Sequence, residues 1–204
     1  DTGYGGVRNS FGTDLAILCQ LEIDRKTVLI SDKSWSASQE GPLGLNDLMQ
    51  GECYDARKEN ICEWHPVTEK QFGYENLVCS NSFDVVEKEN FTGKQIHTPN
   101  GEVVIDFGQN IAGYVKFGFY AQAGQCITLY HGECLDQNGN FTQENFQAPE
   151  HLVEQCVKYI CKEGWNEYKP EKSIFGFRYI KAITDVKVTE KNFTAIAVYS
   201  DMPQ

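Results

Sequence analysis

The sequence predicts an all-β protein made of two β-sandwich, or jelly-roll, units. Three observations lead there. Apolar and polar residues alternate over short runs, most clearly at Val115, Phe117 and Phe119 against Tyr114, Lys116, Gly118 and Tyr120. A period of two marks a half-buried strand. Turn residues punctuate the runs, as at Ala123-Gly124 and Asn138-Gly139, and Asn-Gly suits a hairpin because both residues tolerate φ > 0. No apolar stripe of helical period is sustained beyond about two turns.

The first twelve residues are Gly-rich and read as a loop. Residues 15–23 read as a strand with Leu15, Ile17, Cys19, Leu21 and Ile23 on one face. Asp24-Arg25-Lys26 is a tight turn, residues 27–31 return, and Trp35 lies in a third short strand. Residues 46–57, polar and aperiodic, read as a loop, the kind of segment that carries binding groups. Short strands follow at 61–68, ended by Pro66, and at 77–79 and 83–87. Residues 88–99 hold Gly93 and Pro99 without an apolar period and read as a linker, so the units divide as 1–90 and 91–204.

In the second unit, Val103, Val104 and Ile105 form a strand that Asp106-Phe107-Gly108-Gln109-Asn110 breaks. Residues 114–120 are the alternating strand above. Ile127, Leu129 and His131 then alternate against Cys126, Thr128 and Tyr130. Residues 141–152 are a polar connection with a helical turn expected after Pro149. Strands at 156–162, 174–183 and 194–199 complete the set.

Composition narrows the function. The net charge is −11, which disfavours nucleic acid and anionic membranes, both of which need clustered Lys and Arg. A neutral or cationic partner fits better. No run approaches the roughly 20 apolar residues that span a bilayer. The start at Asp1, without Met or a basic leader, reads as an excised piece of a longer chain. Eight cysteines include no Cys-x-x-Cys pair, so no metal site is expected. Free buried thiols in a reducing cytoplasm are the favoured reading, with secretion and disulfides as the alternative.

Several motifs are weak on their own. Asp106-Phe107-Gly108 matches the kinase magnesium triplet, but no catalytic loop accompanies it. Residues 136–140 resemble the start of a calcium loop, yet Phe141 and Gln147 stand where Gly and Glu are needed. His131 and Glu133 sit two apart on one strand; a surface or interface pair is favoured over ligands or an acid/base pair. Asn90, Asn140 and Asn192 each begin Asn-Phe-Thr, an acceptor only on a eukaryotic secretory route. No residue is nominated as catalytic. As binding groups, Trp35, Tyr54 and Trp64 offer aromatic faces, and Asp47, Glu52, Asp55 and Arg57 offer hydrogen-bonding groups, with Arg57 able to fork onto Asp55 or Glu52.

Taken in succession, the motifs are specific. Asp106 to Tyr114 (DFGQNIAGY), Ala123-Gly124 with Ile127-Thr128-Leu129, His131 to Asp136 (HGECLD), Asn138-Gly139-Asn140 with Glu144-Asn145, and Phe175 to Tyr179 (FGFRY) follow in order. Upstream stand Trp35, Gly41-Pro42 and Gly51 to Arg57 (GECYDAR). This succession resembles the bacterial α-L-rhamnosidases, glycoside hydrolase family 78. The resemblance implies concanavalin-like sandwiches, the first incomplete at its start. It implies a parent enzyme that removes terminal α-L-rhamnose with two glutamates on a helical barrel outside these residues. The chain is then a non-catalytic support for that barrel, inactive alone and prone to self-associate. A stand-alone binding module for rhamnose-containing glycans is the alternative. Calcium, which the resemblance implies for some members near residues 51–57, is put in doubt by Gln50 in place of Asp.

Overall fold

The structure is a computed structural model that describes residues 15–48, 51–60, 63–71, 73–75, 77–146 and 154–202. In chain order the strands are β1 (Gln20–Ile23), β2 (Lys26–Ile30), β3 (Ser36–Ala37), β4 (Leu43–Asp47), β5 (Gly51–Asp55), β6 (His65–Pro66) and β7 (Val85–Thr92). They continue as β8 (Lys94–His97), β9 (Val103–Ala121), β10 (Cys126–Gly132), β11 (Cys156–Ile160), β12 (Gly164–Tyr168), β13 (Phe175–Thr184) and β14 (Phe193–Ser200). The helical segments among the described residues are single 3-10 turns at Ala56–Lys58 and Glu190–Asn192. The all-β expectation holds. No helix among the described residues is long and apolar enough to cross a membrane.

The chain divides into two compact units. The first takes residues 1–38 and 63–77. There β1 and β2 pair antiparallel around Asp24 and Arg25, both at positive φ (50° and 63°), as the turn residues predicted. β3 pairs with β6. Every residue of β1 and β2 is exposed. Residues 15–19 lie outside the strand expected there.

The second unit takes residues 39–62 and 78–204. Its strands form one ten-stranded sheet in the order β4-β5-β11-β10-β13-β9-β14-β7, with β8 and β12 added along β9. β9 turns this one sheet into two layers. Its first half pairs with β13 on one side and β8 on the other. Its second half pairs with β14 and β12. A strand that bends from one layer into the next makes the corner of a sandwich. Aromatic rings fill the space between the layers. Phe117 of β9 meets Tyr159 of β11 edge-on at 5.3 Å, and Tyr168 of β12 meets Tyr54 of β5 at 4.5 Å. Val115, Phe117, Phe119, Ile127, Leu129, Phe175 and Phe177 are all buried, as their alternation predicted.

β9 also carries a bulge. Asp106 pairs with Tyr179 and Ile111 with Phe177, so residues 107–110 stand opposite Arg178 alone. Gly108 sits there at φ 86°, a conformation open to glycine. The segment expected to break the strand is therefore a kink within it. Further on, Gly113 lies so close to β14 that a Cβ would stand 1.9 Å from the Ile196 carbonyl oxygen.

Other stretches also differ from expectation. Residues 46–57 are not a loop: β4 and β5 occupy them, and β5 runs parallel to β11 inside the sheet. The expected linker at 88–99 is spent on β7 and β8. Residues 77–79, expected as a strand, lie outside the strands, and β12 was not anticipated. β4, β5 and β7 all join the sheet of the second compact unit. The helical turn expected after Pro149 and the loop over the first twelve residues lie outside the described residues.

Candidate functional site

Pairing of the sheet brings distant motifs to one surface. Asp106 and Arg178 are joined across the bulge by two hydrogen bonds, Nε to Oδ1 at 2.8 Å and Nη2 to Oδ2 at 2.9 Å. Asp106 Oδ1 also accepts the Gly108 N–H at 2.7 Å, which holds the kink. The Arg178 hydrogen bonds hold the Asp106 carboxyl below the usual carboxylate range against a smaller opposing effect of burial. The guanidinium lies over the Tyr179 ring at 4.9 Å.

Glu133 is the second meeting point. Its carboxylate accepts the side-chain amide of Asn110 at 3.3 Å and that of Asn145 at 2.9 Å. It also lies against Gly176. The four motifs at residues 106–114, 131–136, 138–145 and 175–179 thus end in contact with one another. Gln143 reinforces this, donating to the carbonyls of His131 (2.8 Å) and Glu154 (3.1 Å).

His131 is not the surface residue expected. It is fully buried, its ring stacked on Phe175 at 4.0 Å and edge-on to Phe177 at 4.9 Å. Nδ1 lies 3.1 Å from the Gln155 carbonyl, which fixes the neutral tautomer with Nδ1–H as donor, and Nε2 has no partner. Burial pushes its pKa down to about 4. Glu133, two residues on, turns to the amides instead, so the two do not form an acid/base pair.

The residues nominated for carbohydrate fall in two places. Trp35 belongs to the first compact unit. Asp47, Glu52, Tyr54, Asp55 and Arg57 belong to the second, on β4, β5 and the 3-10 turn. Glu52 is 1% exposed. Its carboxylate accepts the Tyr168 hydroxyl at 2.6 Å and the backbone N–H groups of Glu171, Lys172 and Ser173 at 3.1, 2.6 and 2.8 Å. It pins the connection between β12 and β13. Asp47 holds the same connection, its carbonyl accepting the Ser173 hydroxyl at 2.9 Å. Tyr54 packs its ring on Tyr159 and Tyr168, and burial pushes its hydroxyl up to about 12. Arg57 does fork onto Asp55, with both bonds at 2.8 Å, and lowers the Asp55 pKa.

These geometries decide what the groups can do. The carboxylates of Glu52 and Asp55 are already engaged by protein donors. Among the described residues, no group of three or more His, Cys, Asp or Glu is gathered as a metal would need. The seven cysteines among the described residues are free thiols; Cys156 and Cys161 are buried and Cys126 is exposed. Sequence reasoning did not nominate Asn110, Glu133 or Asn145 as a cluster. Their separation along the chain hides it, since only strand pairing brings them together.

Known proteins share this organisation. Residues 96–199 match the family described as the bacterial alpha-L-rhamnosidase concanavalin-like domain, and residues 1–96 the alpha-L-rhamnosidase N-terminal domain. An alpha-L-rhamnosidase of Formosa agariphila is 27% identical over 184 residues, 81% of this chain and 19% of that protein. One of Streptomyces avermitilis is 27% identical over 188 residues, 85% of this chain and 18% of that protein. The crystal structure of the Streptomyces avermitilis alpha-L-rhamnosidase complexed with L-rhamnose matches with a TM-score of 0.75 at 26% identity, over 91% of this chain and 19% of that one. The Aspergillus terreus alpha-L-rhamnosidase matches with a TM-score of 0.73 at 28% identity, over 88% and 22%. The chain spans about a fifth of the length of these relatives.

Proposed function

The chain belongs to the bacterial α-L-rhamnosidase family, and we propose that it is the non-catalytic β-sandwich support of a longer enzyme that hydrolyses terminal α-L-rhamnose from glycosides. In this reading its partner is a helical catalytic barrel in the same polypeptide. One observation carries the reading. The family motifs are spent on one another: Arg178 on Asp106, and Asn110 and Asn145 on Glu133. A glycosidase needs two carboxyl groups flanking a bond, one of them able to give a proton. Here Asp106 is held ionised by a guanidinium, and Glu133 is occupied by two amides.

The same reading implies that the isolated chain shows surface a larger enzyme would cover. Leu15, Ile17, Leu21, Ile23 and Val28 in the first unit are exposed. Light scattering is expected to show self-association that grows with concentration; a monomer at every concentration contradicts it. The support role is tested in the Streptomyces avermitilis relative by deleting the region this chain matches. The shortened enzyme is expected to unfold at a lower temperature and to aggregate. A deletion variant as stable and as active as the parent removes the proposal.

A further inference from the structure

We propose that His131 is an acid-operated latch: its neutral ring holds Gln155 at the start of β11, and its protonation opens residues 140–146 and 154–156 together. The latch is independent of the support role. Two features meet at it. The first is backbone strain. Gln155 sits at φ 44°, a left-handed conformation that costs any residue with a side chain free energy. Its carbonyl accepts two His131 donors, the backbone N–H at 3.2 Å and Nδ1–H at 3.1 Å.

The second feature is the imidazole itself. It is wholly buried against Phe175 and Phe177, and Nε2 has no partner. A bare buried acceptor is already a cost to the fold. Protonation turns Nε2 into a charged donor with no acceptor among the described residues. The ring escapes by leaving the core, and the Nδ1 bond to Gln155 goes with it. Gln155 then relaxes from its strained conformation.

The opening spreads through bonded neighbours. Gln143 donates to the carbonyls of His131 (2.8 Å) and Glu154 (3.1 Å), so it ties residues 140–146 to both sides of the latch. Asn145, two residues on, donates to Glu133 at 2.9 Å. Release of residues 154–156 therefore loosens the strap that holds Glu133 as well.

The charged neighbours are spent elsewhere and do not offset the proton. On β10, Glu133 is engaged by Asn110 and Asn145, and Tyr130 lies under Lys181. Beside β11, Glu154 pairs with Lys158 and accepts the Cys156 thiol. On β13, Arg178 is turned to Asp106 and covers Tyr179. On β5, Glu52 is held by Tyr168 and three backbone N–H groups. In the hairpin after β10, Asp136 accepts the N–H groups of Asn138 and Asn140, and Cys134 and Glu144 are its other titratable groups. Burial, the larger influence, and the Gln155 carbonyl are what act on the imidazole, and its pKa lies down at about 4.

The test follows hydrogen exchange in the full 204-residue chain from neutral pH to about pH 4, corrected for the intrinsic effect of pH on exchange. A ring of pKa 6.5 when released and about 4 when held makes release about a hundredfold more favourable at the acid end. Protection is expected to fall first at residues 131, 140–146 and 154–156, while β9 and β14 keep theirs. His131→Asn keeps a side-chain N–H donor that does not titrate, and is expected to hold those residues closed in acid. His131→Phe lacks the donor and is expected to open them already at neutral pH. Far-ultraviolet circular dichroism confirms that each variant is folded. Protection lost evenly across the sheet overturns the latch. Acid opening that His131→Asn leaves unchanged also overturns it, and assigns the opening to Glu133 or Glu154. Magnetic resonance titration of the His131 ring decides in the parent chain, whatever the variants do. A strongly lowered pKa is expected, and a value near 6.5 with the sheet intact overturns the latch.

Discussion

Asp106 and Arg178 stand on neighbouring strands, in motifs 72 residues apart, and clasp each other through two hydrogen bonds of 2.8 and 2.9 Å. The pair sits where β9 bulges, with Arg178 opposite the extra residues 107–110. It therefore holds the bulge in β9.

Asp106→Asn removes the charge from this clasp while keeping the shape. The expected loss is about 1 kcal/mol, below the roughly 1.5–3 kcal/mol of a hydrogen bond to a buried charged group because the Arg178 side chain is partly exposed and solvent screens the pair, read as a lower urea midpoint. The Asp106 pKa is depressed in the folded state. Its stabilisation is present above the ordinary carboxylate value and is lost as pH falls through the lower folded value. The variant should lack that acid-side loss; an unchanged midpoint would show that the clasp does not hold the bulge.

Glu52→Gln places an amide among four donors that now bind a buried carboxylate. At least one N–H must lose its partner, at a cost of about 2–4 kcal/mol. Hydrogen exchange should rise first at residues 171–173. Uniform exchange across the sheet would contradict the pinning role.

His131 supplies a different pH dependence. Its ordinary pKa of 6.5 falls to about 4 on burial. Between those values the unfolded chain takes up a proton that the folded ring refuses. Stability therefore falls as pH drops from 6.5 to 4, by about 3 kcal/mol in total. His131→Leu should flatten this part of the curve. An identical slope in the variant would refute it.

Gly113→Ala drives a methyl group to 1.9 Å from the Ile196 carbonyl oxygen of β14. The strands must separate, so a loss of about 3 kcal/mol or more is expected, or no folded protein. A thermal midpoint within a degree or two of the parent would contradict this packing.

Alternation made the core legible. Val115, Phe117, Phe119, Phe175 and Phe177 are buried where the period of two placed them. It failed where a polar residue occupies an inward position. Glu52 in β5 and Asn166 in β12 are each almost wholly buried, because tyrosine hydroxyls and backbone groups satisfy them. A pattern of apolar residues reads such strands as loops. The edge strand β7 was read only at its start, in the strand expected at 83–87, because the rest is mostly exposed and charged. The motifs announced the family, but only strand pairing shows that Asn110, Glu133 and Asn145 meet.

The account holds that these residues build a support and do not break glycosidic bonds. Incubating the purified chain with p-nitrophenyl α-L-rhamnopyranoside tests this most directly. The predicted result is release of nitrophenol no faster than in buffer, unchanged by Glu133→Gln or Asp106→Asn. Steady turnover that either substitution abolishes would contradict it.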